Sequence, residues 1–370
     1  MSVQERKVLD SYLYDLVLAG EWQKLPRIKS TIARLFTASA STYDYSHHAS
    51  LGCDPNGLYA FWSNGCNGED LPGQVQSWCR CDASGRWGTP QVLARAPMFG
   101  DSTTTAINGG TAVGSTCLTS FYSEFKGRPK DGAGGSGKWS LPMYTGAQVH
   151  DPITGAWSAT DVLLEDYLLN EGPRRTRRGR WLMTGENHDG HTRIAYCDEA
   201  QPSGTRWQVS PVAKGAGEVF KNEPSWFQRP DGTIALWLRD DGDSHRLWLA
   251  ESADEGTTWT EPVPTDIPDA TSKCHAGRLS NGLYYLIFNP NPNGLRIPLT
   301  LALSQDGYMF THLAILRDEI TEPRLPGRFK GAGYQYPNSL ELDGVLHIVY
   351  SVNKEEVEVQ SISVADTEIV

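Results

Sequence analysis

Ser252-Ala-Asp-Glu-Gly-Thr-Thr-Trp259 reads as a tight turn closed by an aromatic, with an acid and a glycine at set offsets from a serine. Ser and Asp side chains bond the backbone of such turns, and Gly supplies positive φ without steric cost. Related turns recur at Cys81–Trp87 (CDASGRW), Asp151–Trp157 (DPITGAW), Ser203–Trp207 (SGTRW) and Ser304–Phe310 (SQDGYMF). Their closing aromatics lie 70, 50, 52 and 51 residues apart, so three of four intervals share one period. The long interval holds the glycine-rich stretch Gly132–Gly137. Such a period marks repeated structural units packed against one another.

Within a unit, strand-like runs precede the turn, as in Thr233–Leu238 (TIALWL) and Arg246–Glu251 (RLWLAE), and a Pro-containing exit follows at Glu261–Val263. This predicts a four-stranded antiparallel sheet with the turn between its last two strands. One such sheet cannot cover both its faces, so the units pack radially. The expected fold is all-β, a β-propeller of four-stranded antiparallel blades, about six by repeat count with a seventh allowed. The last unit offers Tyr336–Leu342, Val345–Val352 and Glu356–Ile362 but no fourth strand, whereas Thr31–Thr37 (TIARLFT) has no sheet of its own. Their pairing would close the ring of one domain spanning 1–370. Residues 1–30 form an N-terminal extension in which Glu5–Gly20 reads as a helix or extra strands.

The net charge of -11 opposes a broad nucleic-acid or anionic-membrane surface while allowing a local basic pocket. No run of eighteen apolar residues occurs, and Met1–Asp10 lacks a basic stretch followed by an apolar one. The chain as given therefore reads as cytoplasmic, or secreted if it is a processed form, and as a monomer. Seven cysteines and no Asn-x-Ser/Thr acceptor imply neither a complete disulfide framework nor N-glycosylation.

Several motifs have bland readings. Cys79 and Cys81 share one face of a strand without further ligands at metal spacing. His188 and His191 (ENHDGH) suit a polar turn or a substrate contact better than a metal. Gly132–Lys138 mimics a phosphate loop, but Trp139 stands where Ser or Thr is required. Arg174–Arg180 (RRTRRGR) reads as a solvated basic loop, and His275 as structural.

Ser252–Trp259 matches the S-x-D-x-G-x-T-W "Asp box" of sialidases and related propellers, and the order of markers from about 44 to 362 resembles the sialidase order. The resemblance implies that Asp70 stands in the loop of the acid, that Glu223 matches the glutamate, Arg239 and Arg296 the second and third arginines, and that Tyr336 falls near the tyrosine nucleophile. It departs at the first arginine, where Ser46–Leu51 (SHHASL) puts His47. Histidine there is similar to propeller-fold polysaccharide lyases and rhamnosyl-glucuronate-cleaving enzymes, as are Tyr334–Pro337 (YQYP), Arg296–Leu303 (RIPLTLAL) and Tyr350–Glu355 (YSVNKE).

Eliminative cleavage of a uronoside requires its carboxylate to be neutralised, which arginine does through a bidentate fork. A base then removes the C5 proton while an acid protonates the leaving oxygen, and His or Tyr can fill either role. His47, His48, Tyr336 and Glu223 are the candidate catalytic residues; Arg239, Arg296, Asp70, His188 and Tyr334 the candidate substrate contacts. Alternation along a strand points His47 and His48 to opposite sides, and the sequence does not separate them. The expected ligand is an acidic oligosaccharide or polysaccharide. No cofactor is required, and a structural or assisting divalent cation stays open. Two alternatives stand beside this reading: a sialidase-like hydrolase using Tyr336, Glu223 and Asp70, and a non-catalytic glycan-binding propeller.

Overall fold

A computed structural model of the chain describes residues 5–94, 105–113, 117–126, 139, 141–215, 221–242 and 244–368. The glycine-rich stretch 132–138 lies outside them. Six four-stranded antiparallel sheets follow one another along the chain. Blade 1 holds Tyr45–Asp54, Gly57–Gly65, Val75–Cys81 and Gln91–Ala94. Blade 2 holds Thr105–Val113, Leu118–Phe125, Met143–Val149 and Asp161–Glu165. Blade 3 comprises Leu168–Arg175, Trp181–Glu186, Thr192–Cys197 and Gln208–Pro211. Blade 4 comprises Lys221–Gln228, Ile234–Asp240, Arg246–Ser252 and Val263–Pro268. Blade 5 runs through His275–Arg278, Tyr284–Phe288, Leu299–Ser304 and His312–Arg317. Blade 6 takes Tyr334–Leu342, Val345–Val352 and Glu356–Ser363 from the C-terminus and Thr31–Thr37 from the N-terminus.

The ring closes as expected: Thr31 pairs with Ser361 and Thr37 with Glu356 in antiparallel register, and Arg34 reaches Glu358 at 2.9 Å. No seventh sheet occurs among the described residues, so the additional blade the period allowed is not formed. The apolar core lies between blades. Ile287 and Leu301 of blade 5 meet Leu346 and Ile348 of blade 6 in one cluster, while Leu35 and Val357 of blade 6 meet Leu51 and Trp62 of blade 1 in another. First strands of neighbouring blades touch around the axis.

The turn that reveals the repeat also ties blades together. Asp254 accepts from Ser252 Oγ (2.8 Å) and Thr258 N (2.8 Å), and Gly256 N donates to Ser252 Oγ (2.9 Å). Gly256 has φ +81°, and a Cβ there would sit 2.8 Å from Leu182 of blade 3. Trp259 Nε1 donates to Ser210 Oγ of the same blade at 3.1 Å.

Of the two N-terminal expectations, the helix forms. Asp10 caps Ser11–Leu18 through its carboxylate, which accepts from Tyr12 N at 2.9 Å. Val8, Leu9, Leu13, Leu16 and Val17 bury against Phe227, Trp237 and Phe310, sealing blades 4 and 5. No helix among the described residues is long and apolar enough to cross a membrane.

If Thr31–Thr37 is the seam, Leu35, 8% exposed, and Ile32, 47% exposed, should respond differently. Leu35→Ala should cost about 2–4 kcal/mol and Ile32→Ala less than about 0.5 kcal/mol in urea unfolding. Equal effects would show that the strand does not hold the ring.

Candidate functional site

Three first strands lose register at the same place: between His47 and Ser50, between Asn222 and Ser225, and between Gln335 and Asn338. Each break is a β-bulge, which frees a residue from the ladder and re-aims its side chain. The residues so placed are His48, Glu223 and Tyr336, with φ of 53°, 47° and 53°. They occupy one equivalent position in blades 1, 4 and 6 and converge on a cavity of about 380 Å³ at the axis. Left-handed backbone at such residues is costly and is characteristic of functional sites.

The bulge separates the two histidines. His48 lines the cavity, while His47, with no exposure, lies beneath it. His47 Nδ1 is 2.6 Å from Ser351 Oγ, and its ring centroid is 4.1 Å from that of Tyr336. Burial lowers the His48 pKa to about 4 against the opposing pull of Glu69, and burial pushes His47 well down. Both imidazoles are therefore neutral near pH 7.

The Tyr336 hydroxyl donates to Glu223 Oε1 at 2.5 Å and accepts from Arg239 Nη1 at 2.6 Å. Arg239 also holds Glu223 Oε2 (2.5 Å) and Asp241 Oδ1 (2.7 Å), so its charge is already answered by two carboxylates. Burial drives the Tyr336 hydroxyl well above its usual range; Arg239 opposes this and Glu223 adds to it. Arg296 behaves differently: its guanidinium bonds the uncharged Gln335 Oε1 (2.8 Å) and Thr271 O (3.0 Å) and lies 5.4 Å from the Tyr336 ring centre. Lys273 Nζ donates to Asn170 O, and burial lowers its pKa.

Asp70 also lines the cavity, 2% exposed, with its N–H donating to Gln74 Oε1 at 3.2 Å. Thus His48, Glu223, Arg239, Arg296, Asp70 and Tyr336 share one cavity, with His47 packed beneath. Two candidate contacts do not reach it. His188 is held by Asp166 (2.9 Å) and Asp189 (3.3 Å) outside the lining, and its carbonyl accepts from Trp139 N. Tyr334, fully buried, donates its hydroxyl to Glu319 at 2.8 Å beneath the Arg317 guanidinium; it lies before the register break that re-aims Tyr336, so the two tyrosines do not share a face although they are two residues apart. His275 is paired with Glu171 at 2.5 Å and belongs to the interior.

Glu69, Asp241, Lys273, Lys330 and Lys354 complete the charged wall, and Ile107, Trp139, Leu168 and Leu169 form an apolar one. Trp139 was noted only as the residue that breaks a phosphate-loop pattern and Lys354 only as part of Tyr350–Glu355; the others were not singled out from the sequence. Asp241 lies two residues after Arg239 and Glu69 directly precedes Asp70, so closeness to a candidate was the available signal. His47 Nε2, His48 Nε2 and Glu69 Oε1 lie within 4.8 Å of one another, a spacing that would admit a cation. The cation on that carboxylate is the Lys354 ammonium, 2.5 Å from Glu69 Oε2.

Comparison with known proteins places this architecture. The family described as "BNR repeat-like domain" matches residues 56–348. No curated protein matches the chain. Among solved structures, a protein titled "Sialidase" is similar at 19% identity and TM-score 0.65, covering 92% of this chain and 33% of its own. The intramolecular trans-sialidase from Ruminococcus gnavus, in complex with oseltamivir carboxylate, is similar at 14% identity and TM-score 0.67, covering 91% of this chain and 98% of its own. Trypanosoma rangeli sialidase in complex with the inhibitor DANA gives 14% and 0.67, covering 91% and 60%. At these identities the likeness is one of fold, a propeller like that of the proteins titled sialidase, as the Asp box led one to expect. With the repeat matched from 56 to 348 and all six blades formed, this chain belongs to the BNR repeat-like domain family.

Proposed function

We propose that this protein cleaves a glycosidic bond to a uronic acid in acidic glycans by β-elimination. The observation that carries the reading is the uneven pairing of cations around Tyr336. Arg239, Lys330 and Lys354 each hold a carboxylate of the protein, whereas among the described residues Arg296 and Lys273 bond only uncharged acceptors. A half-buried cation without a paired carboxylate favours an anionic ligand, and the planar fork of Arg296 suits a carboxylate. Neutralising that carboxylate acidifies the adjacent C5–H.

His48, neutral at pH 7, takes the C5 proton as the C4–O bond breaks and a C4=C5 double bond forms. The Tyr336 hydroxyl gives its proton to the departing oxygen, and Arg239 stabilises the phenolate until solvent restores it. Glu223 orients that hydroxyl. The neighbours with sialidase in their titles support a glycosidase-type activity as a second reading, and the 2.5 Å bond between Tyr336 and Glu223 favours it specifically. There Glu223 would activate Tyr336 as the nucleophile and Asp70 would protonate the leaving group. Incubation with a panel of uronate-containing polysaccharides and sialosides separates the two, since only elimination yields the ultraviolet absorbance of an unsaturated uronate. Release of sialic acid without that absorbance would replace elimination with hydrolysis.

On a cleaved uronoside, Tyr336→Phe and His48→Ala should each lower kcat about 10²-fold or more while the protein stays folded. Arg296→Lys should lower kcat/KM on the order of tenfold through loss of the fork. Retention of near-normal turnover by all three variants would remove the assignment.

The pH profile provides an independent check. Because burial depresses the His48 pKa, the neutral base persists as acid is added, so turnover should hold across the neutral range and fall only as pH drops through about 4. An acid limb at the ordinary imidazole value of about 6.5 would show that another group takes the proton.

A further inference from the structure

The first strands run from one end of the axis to the other. His48, Asn170 and Tyr336 line the axial cavity, and a few residues further along the same runs of chain Leu51, Arg175 and Leu340 line a second cavity of about 280 Å³. The second cavity therefore lies at the opposite end, where hairpins join the first and second strands of the blades.

At that end the blade 3 hairpin carries the basic run Arg174–Arg180, which by sequence reads as a solvated loop. The structure seats two of its arginines against neighbours. The Arg175 guanidinium lies 4.4 Å from the Trp181 ring centre, and its Nη2 donates to Ala200 O at 2.6 Å. Arg177 donates to Pro230 O (2.8 Å) and to the Tyr284 hydroxyl (3.4 Å), which ties the hairpins of blades 4 and 5 to it. Arg278 of blade 5 stands 5.5 Å from the centre of the same tyrosine ring, and Arg178 is exposed at the turn.

Arg174 and Arg180 are answered by Glu171 and Asp198. Among the described residues Arg175, Arg177, Arg178 and Arg278 pair with no carboxylate, and the contacts of the first, second and fourth are to rings, carbonyls and a hydroxyl. Nearby acids are engaged elsewhere: Asp231 accepts from Thr233 and Tyr308, and Glu341 from Ser280 N. An arginine held by a ring and a carbonyl has already lost much of the side-chain freedom that binding would otherwise cost. Its charge is still unanswered. In a chain of net charge -11 this strip reverses the sign of the overall field.

We infer that this face is a second, non-catalytic binding site for acidic polysaccharide, which holds the protein on the polymer while the axial cavity works at the opposite end. The choice of polysaccharide rests on the glycosidic reading above. A nucleic-acid duplex carries one charge per about 1.7 Å and needs a broad basic footprint, whereas Asp231 and Glu341 stand on the neighbouring hairpins here. A chain of uronic acids is charged more sparsely, and the planar fork of arginine takes both oxygens of a carboxylate. Contact at this face raises the effective concentration of polymer at the cavity.

The test measures retardation in gels containing the uronate polymer polygalacturonate. Wild type should be retarded, and the double variant Arg177→Gln with Arg178→Gln should bind about tenfold more weakly. Lys24→Gln with Lys29→Gln removes the same charge from the exposed N-terminal segment and should stay within about twofold of wild type. Arg177→Lys with Arg178→Lys keeps the charge and should retain most of the affinity. No retardation of wild type, unchanged affinity in the Arg→Gln pair, or equal weakening in both Gln pairs would overturn the site. Stronger binding to duplex DNA than to the polymer, lost in the same variant, would replace polysaccharide with nucleic acid. Cleavage is read separately, on the polymer and on a trisaccharide that carries a uronic acid substituted at O4 and is too short to reach both ends. The Arg→Gln pair should lower kcat/KM about tenfold on the polymer and match wild type within about twofold on the trisaccharide. Equal losses on both would show a structural effect and reject the tether. If neither is cleaved, the catalytic reading fails, while the gel result still decides the second site.

Discussion

The bulge repeated in the first strands of blades 1, 4 and 6 is the constraint from which the site follows. A regular strand would alternate its side chains and keep each residue in the ladder. Here one residue per strand leaves the ladder in left-handed backbone, and those residues are His48, Glu223 and Tyr336. Each is followed by Ala49, Pro224 or Pro337 and then by a polar residue that ties neighbouring blades. Ser50 Oγ accepts from Asn108 Nδ2 (2.9 Å), Ser225 Oγ from Ala276 N (2.8 Å), and Asn338 Oδ1 from Leu51 N (3.1 Å). The strained residue is thus held by the interblade packing beside it, which offsets its cost.

Charge follows from the same geometry. Bringing side chains from several blades to one axis buries ionisable groups that no single blade could satisfy. Breaking such a pair costs more than the pair contributes, because it leaves a buried charge unanswered. Tyr336, Glu223, Arg239 and Asp241 form one satisfied group, and Glu69 with Lys354 another. Among the described residues Arg296 and Lys273 are the lining cations without a carboxylate partner, and an exception of this kind bears on function more directly than the satisfied pairs do. The fold itself hosts many chemistries, so similarity to sialidases at 14–19% identity describes the scaffold and leaves the reaction to be argued from these side chains.

The architecture was legible in the sequence because its signals are local. The turn at Ser252–Trp259 needs only its own Ser, Asp and Gly to form, and its recurrence sets the blade spacing. The orphan strand Thr31–Thr37 and the incomplete last sheet were both visible as runs of β-forming residues. Six of the candidate site residues could be named because the order of motifs along a propeller maps onto order around the ring.

The tertiary structure decided what depends on distance between blades. His47 and His48 are neighbours in sequence, and only the bulge determines that His48 faces the cavity while His47 packs beneath Tyr336. Tyr334 and His188 looked equivalent to true lining residues, but the bulge re-aims Tyr336 and leaves Tyr334 in the core, and Asp166 draws His188 aside. Glu69, Lys273 and Phe329 carry no motif, since their place comes from loops of separate blades meeting at the axis. A one-dimensional pattern records which strands form and where they turn. Which side chains of different strands share a pocket is set by ring closure and by breaks in register, and those are properties of the assembled propeller.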